Sequence, residues 1–396
     1  MIHRGFCSNK SVCRTLENRL AQRSYHELSY AEHGDPAQVL HYLSDVTSPP
    51  RKLPSTAVQL EIHHAPWNPA DMNAVQGTYP SIYPPGQERP CPSYIDLNRT
   101  VAGSEGYGRI VEVRGEPTNV QLGDWVTFGR TGLGTLRSNL WLDADLVLPI
   151  QAGPQIFQQD NAASVASIFQ LGGTALGMLQ SFVDLKPGDI IVQNAGNSGV
   201  GYVLSQLAKM LVGDELQVVS FVRRDNRSPE NFDALVKHLK DTAWNDVVLA
   251  QEDYIGNRSA AKELISEWKG VKPKLALNAV GGSSSNLLLS LLAPGGTHVT
   301  YGGMSMRPVT VSAAQLIFKD VHVRGYWQSR WMMQHNYSEK LALINQIADA
   351  YVDGKLTPPP CEVFPLSNVA EALDFESRQS GEMIRKKVVF DCQENS

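Results

Sequence analysis

The sequence predicts an α/β protein in which an antiparallel, barrel-like β domain precedes a doubly wound parallel sheet. Short alternating runs at 57–62 and 108–113, separated by turns, indicate antiparallel strands in the first part of the chain. After Asn161 the pattern becomes strand, helix, strand, helix, which is typical of parallel strands joined by crossover helices. Two domains of different topology are therefore expected.

The second pattern predicts an ordered set of elements. Strands are predicted at 190–194, 217–222, 275–278, 296–301, 321–324 and 387–390. Helices are predicted at about 199–211, 231–239 and 338–352. The stretch 161–183 carries no charge, but its paired glycines and polar residues favour a buried helix between the domains over a membrane span.

Composition and charge narrow the class of protein. The chain has 396 residues, 42% hydrophobic and 19% charged, which suits two or three globular domains and excludes a disordered chain. Residues 1–24 carry five basic residues and one acidic residue, so their net charge of +4 leaves −9 for the remainder. That acidic body argues against nucleic acid or an anionic membrane as the main partner. The basic start predicts a mitochondrial or plastid transit peptide at 1–24, the alternative being a basic N-terminus without an address.

The cysteines and histidines do not form a recognisable metal or disulfide pattern. Five cysteines are scattered along the chain: Cys7, Cys13, Cys91, Cys361 and Cys392. They give neither a disulfide framework nor a CxxC pair, which fits a reducing compartment. His63 and His64 are neighbours on a predicted strand and point to opposite faces, so they are poor co-ligands. A protein without a metal is expected.

A glycine-rich turn at 193–201 lies between a predicted strand and a predicted helix. Read from Gly196 it is GxSxxG, one residue away from the dinucleotide-binding pattern, with Ser198 where the second glycine usually stands. Amides at the start of a helix attract phosphate, so Asn197, Ser198, Gly199 and Val200 are candidate cofactor contacts. A plain tight turn is the alternative.

The end of the following strand indicates which dinucleotide is bound. NAD-binding folds place an acidic residue there to hold the ribose 2′-hydroxyl. This chain has Arg223, Arg224 and Asp225 after Val222, and arginine suits a 2′-phosphate. NADPH is therefore predicted, a solvated basic surface turn being the alternative.

With these segments the chain resembles the medium-chain dehydrogenase/reductase superfamily, and most closely its mitochondrial trans-2-enoyl-thioester reductases. The matching segments are 67–73, 76–80, 103–106, 194–201, 275–282, 301–304 and 325–327. The resemblance implies a GroES-like β-barrel catalytic domain at 25–163 and 326–396, and a Rossmann-type NADPH-binding domain at 164–325. Zinc-dependent members of the superfamily carry Gly-His-Glu where this chain has Ser104 between Gly103 and Glu105, which agrees with a protein without a metal.

The resemblance also implies an activity: NADPH-dependent reduction of trans-2-enoyl thioesters of acyl carrier protein or coenzyme A in the mitochondrial matrix. Hydride goes to Cβ and a proton to Cα, and a tyrosine hydroxyl, protonated at neutral pH, can supply that proton. The resemblance assigns this role to Tyr79, although an ordinary half-buried tyrosine is the alternative.

Other site residues follow from the same resemblance. Asn68 and Trp327 are expected in the substrate pocket, although turn formation or core packing would equally account for them. Further expected cofactor contacts are Tyr301, Gly302, Gly303, Met304, Tyr326, Trp327 and Lys386, the last with an uncertain register because Lys387 follows it. Relatives are commonly homodimers joined at the edge of the nucleotide-binding sheet, here at 309–311 and 321–323.

Two other functions remain open from the sequence. A quinone oxidoreductase of the same superfamily would need the same cofactor site but no proton donor for carbon. A catalytically silent NADPH-binding protein would keep the fold without turnover. The fold alone does not distinguish among these.

Overall fold

A computed structural model describes residues 25–46, 54–80, 98–157, 162–224, 228–379, 382 and 384–393. The predicted leader at 1–24 and the candidate cofactor residue Asp225 lie outside the described residues.

Sixteen strands are present in the described part of the chain. Those before residue 150 are β1 Tyr25–Tyr30, β2 His41–Val46, β3 Ala57–Pro66, β4 Thr100–Val101, β5 Tyr107–Arg114, β6 Trp125–Phe128, β7 Asn139–Asp143 and β8 Val147–Pro149. The later ones are β9 Ile190–Asn194, β10 Gln217–Val222, β11 Val247–Ala250, β12 Leu275–Asn278, β13 Thr297–Thr300, β14 His322–Gly325, β15 Cys361–Pro365 and β16 Lys387–Asp391.

Thirteen α-helices connect or flank these strands in the same residues. They are α1 Pro36–Val39, α2 Pro69–Val75, α3 Gly153–Phe157, α4 Ala162–Val165, α5 Ile168–Ser181, α6 Gly199–Val212, α7 Pro229–Ala243, α8 Arg258–Glu267, α9 Gly282–Leu291, α10 Ala313–Ile317, α11 Gln328–Gln334, α12 Tyr337–Val352 and α13 Val369–Arg378.

The first part of the chain forms the expected β domain. A seven-stranded sheet runs β15-β16-β3-β5-β6-β8, with β7 also paired to β3, and a three-stranded sheet runs β2-β1-β4. The C-terminal strand β16 pairs antiparallel with β3, so the end of the chain returns to the domain in which it began. Apolar side chains of β3 such as Val58, Leu60 and Ile62 are fully buried and form much of this core.

The second part forms a six-stranded sheet in the order β11-β10-β9-β12-β13-β14. Every neighbouring pair is parallel, which confirms the doubly wound prediction. The strand order reverses between β9 and β12, and in such sheets ligands bind at the carboxyl ends of the strands at that switch point. The cofactor site is therefore sought where β9 ends.

The uncharged stretch lies inside the molecule. Residues 162–181 are long and apolar enough to cross a membrane, and 78% of an apolar 18-residue part of this stretch is buried in the fold. Helix α5 packs against α6, α11 and α12, so its apolar residues contribute to the core shared with the parallel sheet. The division at 163/164 and 325/326 remains a prediction.

Candidate active site

Tyr79 is placed by the short helix α2 and the turn that follows it. Pro69 occupies the first turn, and the backbone N–H of Asn68 donates to Asp71 Oδ2 at 2.9 Å, which defines the start of the helix. Gly77 has φ +74°, a left-handed conformation that glycine adopts without strain, and it turns the chain. The N–H groups of Thr78 and Tyr79 then both donate to the carbonyl of Asn73, at 2.9 and 3.1 Å.

Trp327 meets Tyr79 across 248 residues of sequence. Its indole Nε1–H donates a hydrogen bond to the Tyr79 hydroxyl oxygen at 2.7 Å, and the rings lie edge to face with centroids 6.1 Å apart. Indole N–H is a donor only, so the phenol oxygen must accept this bond. The hydroxyl hydrogen of Tyr79 is therefore left to donate elsewhere, and the structure brings together two residues that the sequence placed at the site.

A cavity of about 360 Å³ opens beside Tyr79. Small side chains of α2 and of the segment after β4 make room for it. Its lining includes Ala70, Asp71, Ala74, Ala102, Ser104 and Thr131. The volume is within the range of small-molecule sites, so a substrate group can enter next to the tyrosine hydroxyl.

Below the cavity lies a polar cluster centred on Asn68. Its amide nitrogen donates to Glu105 Oε2 at 2.8 Å, and its amide oxygen accepts from Lys387 Nζ at 2.6 Å. The backbone N–H of Gln170 donates to the other oxygen of Glu105 at 2.6 Å. Burial raises the pKa of Glu105 to about 8 and the pKa of Asp71 to about 6, and it lowers the pKa of Lys387.

The glycine-rich turn at the end of β9 begins helix α6, as the sequence predicts. Ser198 caps the helix by accepting the N–H of Gly201, which leaves the first-turn amides of Gly199 and Val200 at the positions without an intrahelical partner. A Cβ on Gly201 would lie 2.6 Å from the carbonyl oxygen of Ala195, so only glycine allows this tight packing of helix on turn. Helix α6 has fourteen residues, and the N-terminus of such a helix can hold a pyrophosphate.

The segment after β13 faces the same crevice from the other side. The Tyr301 hydroxyl is buried close to the Ser198 side chain, and no hydrogen bond of normal geometry to it is found among the described residues. Burial raises the pKa of Tyr301, so the hydroxyl is a neutral group available to a ligand. Gly302 lies against the carbonyl of Ala279, whereas a Cβ on Gly303 would meet nothing within 4 Å, so this backbone leaves open space. Met304 is 66% exposed beside it.

The basic residues after β10 lie at the carboxyl end of that strand. Arg223 is exposed there. Arg224 forms an ion pair with Asp253, and its guanidinium lies 5.3 Å from the centre of the Phe232 ring. Arg224 is thus held against the protein, and the contact of Arg223 with a 2′-phosphate stays a prediction.

Two expected cofactor side chains are not brought to the crevice. The Tyr326 hydroxyl donates to Gln328 Oε1 at 2.5 Å inside the core, where it packs on helix α5. Lys386 is exposed and paired with Glu362 at 2.7 Å. The neighbouring Lys387 turns inward instead, because successive side chains of a strand point to opposite faces. The lysine that reaches the site is thus one residue further along, and it reaches Asn68.

Three residues of the polar cluster were not predicted as site residues from the sequence: Glu105, Gln170 and Lys387. The available signal was that two carboxylates, Asp71 and Glu105, lie in the segments 67–73 and 103–106 that resemble the family, and a buried acid needs a partner. In the part of the chain that the structure describes, no group of three or more His, Cys, Asp or Glu side chains is placed to hold a metal ion.

A β domain with a tyrosine at its cavity, set against a parallel sheet with a phosphate-type helix start, defines the medium-chain dehydrogenase/reductase class. Residues 253–382 match the family model described as zinc-binding dehydrogenase. The mitochondrial enoyl-(acyl-carrier-protein) reductase of Mus musculus is 36% identical over 352 residues, covering 88% of this chain and 84% of that protein. The chain belongs to the family of mitochondrial enoyl-(acyl-carrier-protein) reductases.

Solved structures agree. A complex of Etr1p with NADP and crotonyl-CoA has a TM-score of 0.78 and 28% identity, covering 93% of this chain and 100% of that one. A mitochondrial 2-enoyl thioester reductase Etr1p/Etr2p heterodimer from Candida tropicalis has a TM-score of 0.79, also at 28% identity, with the same two coverages.

Proposed function

We propose that this chain reduces trans-2-enoyl thioesters to saturated acyl thioesters with NADPH, and that Tyr79 delivers the proton to Cα. The observation that carries the proposal is the hydrogen bond from Trp327 to Tyr79 beside the cavity, because the Tyr79 oxygen accepts it and the hydroxyl hydrogen remains available to donate to a ligand. Membership of the enoyl-(acyl-carrier-protein) reductase family supports the substrate class.

The residues of the crevice fit the dinucleotide. The first-turn amides of Gly199 and Val200 suit its pyrophosphate, the buried hydroxyl of Tyr301 offers a hydrogen bond, and Arg223 suits the 2′-phosphate. When bound, NADPH supplies the hydride for the β-carbon of the substrate.

The protein's own part in the reaction is to hold the thioester and to give a proton. As negative charge builds on the thioester oxygen, the hydroxyl of Tyr79 donates a hydrogen bond and then its proton. The indole N–H of Trp327 stabilises the negative charge left on the phenol oxygen, because a hydrogen bond to a charged acceptor is stronger than one to a neutral acceptor. We expect the Trp327 ring, which lies edge to face with Tyr79, to border the acyl group as well.

The cavity accommodates the acyl group. Its small lining residues leave about 360 Å³ beside Tyr79, which supports enoyl thioesters of either acyl carrier protein or coenzyme A as substrates. The barrel part at 25–163 and 326–396 supplies this pocket, and the part at 164–325 supplies the cofactor crevice.

Location and assembly are further parts of the proposal. Relatives named as mitochondrial, together with the basic 1–24 segment, support a mitochondrial protein whose reaction takes place in the matrix. Exposed apolar side chains and an exposed sheet edge support a homodimer: Met306 is 92% exposed, Ile317 71% and Phe318 81%, and the edge strand β14 is exposed along its length. Pairing two copies through β14 would satisfy the edge, and we expect it to bury these side chains.

The test is NADPH oxidation, followed by absorbance, with crotonyl-CoA and trans-2-decenoyl-CoA as substrates. The proposal predicts that NADPH is oxidised when a thioester is present, and that the KM for NADH is much higher than the KM for NADPH. NADPH oxidation with 1,2-naphthoquinone but with neither thioester would instead identify a quinone oxidoreductase. Binding of NADPH without oxidation by any of these acceptors would identify a silent binding protein.

A further inference from the structure

Three separated parts of the chain meet at Asn68, below the site. Lys387 from β16 donates to its amide oxygen at 2.6 Å, and Glu105 accepts from its amide nitrogen at 2.8 Å. Glu105 in turn accepts the backbone N–H of Gln170 at the start of α5. The reaction described above uses none of Lys387, Glu105 or Gln170, so their arrangement calls for another role.

These bonds determine the orientation of the Asn68 side chain. Its oxygen faces an ammonium group and its NH₂ faces a carboxyl group, so the reversed amide would lose both bonds. Asn68 is 5% exposed and Glu105 is 3% exposed, so bulk solvent has little access to either side chain. Removing the Lys387 ammonium would leave the Asn68 oxygen unpaired inside the protein.

Asn68 is also the residue at which helix α2 starts. Its carbonyl accepts the N–H groups of Asp71 and Met72, at 2.9 and 3.1 Å. The helix is only seven residues long, too short to be stable by itself, so it depends on such anchors. Four residues beyond its end stands Tyr79, whose N–H bonds to Asn73 within the helix. A displacement at Asn68 is therefore transmitted to Tyr79.

We propose that Lys387 is a positioning residue: by holding Asn68 it fixes helix α2, and so holds the Tyr79 hydroxyl where it meets Trp327. The geometric part of this inference, that Lys387 fixes the position of helix α2, does not depend on the proposed function. Its consequence for turnover rests on the proposed function.

The geometric part is tested on the full chain by hydrogen–deuterium exchange of peptides covering 69–80. Lys387→Met removes the ammonium and keeps the aliphatic stem, and it is expected to speed exchange of these amides at least tenfold. The control is Lys355→Met, which removes a lysine more than half exposed and paired only across the surface with Asp353 at 3.1 Å. It should exchange as the wild type does. Unchanged exchange in Lys387→Met overturns the inference, whatever the enzymatic activity.

The catalytic part is tested by kinetics with crotonyl-CoA. Lys387→Met is expected to lower kcat at least tenfold, with KM for crotonyl-CoA and the Kd of NADPH each within about threefold of the wild type. An unchanged kcat, or a matching loss of NADPH binding, overturns the positioning role. A wild-type protein without thioester reductase activity would refute the proposed function, and the exchange experiment would still decide the geometric inference.

The inference can still be tested if the Lys387→Met variant does not fold. If Lys387→Met is insoluble, Glu105→Gln is compared with the double variant Lys387→Met/Glu105→Gln, in which the buried acid that has lost the neighbouring ammonium is also replaced. Faster exchange at 69–80 in the double variant supports the inference, and equal exchange overturns it.

Discussion

Replacement of Trp327 by phenylalanine tests whether the hydrogen bond to Tyr79 contributes to proton transfer. The substitution removes the indole N–H that donates at 2.7 Å and keeps an aromatic ring at the edge-to-face position. The effect should depend on Tyr79, because without a phenol oxygen there is nothing for the N–H to stabilise.

The size of the effect follows from the change of charge on the phenol oxygen. A hydrogen bond to a neutral group contributes about 1 kcal/mol and one to a charged group about 2 kcal/mol. Only the difference of about 1 kcal/mol accelerates the step, so Trp327→Phe should lower kcat between about fivefold and tenfold. Tyr79→Phe removes the proton donor and should lower kcat about 10²- to 10⁴-fold.

The assay is a double-mutant cycle on kcat for crotonyl-CoA reduction at saturating NADPH. In the Tyr79→Phe background, Trp327→Phe should have almost no further effect. An undiminished loss in that background would show that Trp327 acts through the pocket wall alone, and the reasoning from the hydrogen bond would be refuted.

Three further substitutions probe the cofactor site, the core and the exposed apolar side chains. Arg223→Glu should raise KM for NADPH at least tenfold and KM for NADH much less, because it places a negative carboxylate where the 2′-phosphate is expected. Equal changes of the two KM values in steady-state assays would argue against a 2′-phosphate contact. Burial lowers the pKa of His298 from the usual 6.5 to about 4. As the pH falls, the unfolded state therefore binds the proton before the folded state does, and the stability of the folded state decreases between pH 6.5 and 4. Urea titrations should show about 2 kcal/mol of this loss by pH 5, and His298→Gln should lack it; an identical pH dependence in the variant would contradict the assignment. For the proposed homodimer, Phe318→Glu should give a monomer in light-scattering chromatography without loss of folding; a wild-type chain that is already a monomer, or an unchanged dimer mass, would contradict this interface.

Much of the parallel sheet could be predicted because its strands are continuous apolar runs. The predicted segments 190–194 and 217–222 coincide with β9 and β10. Strand β11, Val247–Ala250, was not predicted, because it is a four-residue edge strand that alternates between buried and half-buried positions. Such a short run does not stand out from the helical segments around it.

The site was predictable residue by residue but not in its contacts. Tyr79 and Trp327 were both expected, yet their hydrogen bond joins positions 248 apart in the sequence, and no local pattern predicts such a distant contact. The choice between Lys386 and Lys387 depends on strand register, and a shift of one residue reverses the face of every side chain. Pairing of β16 with β3 sets that register, and no local pattern contains this information.

The most direct measurement follows the atoms transferred to the substrate. Crotonyl-CoA is reduced with NADPH deuterated at its transferable position, and separately with ordinary NADPH in D₂O, and the butyryl product is analysed by mass spectrometry and NMR. The proposed reaction places deuterium at Cβ in the first experiment and at Cα in the second, with both rates lowered in Tyr79→Phe. An acyl product without deuterium at Cβ in the first experiment, or a Tyr79→Phe variant as fast as the wild type, would contradict the account.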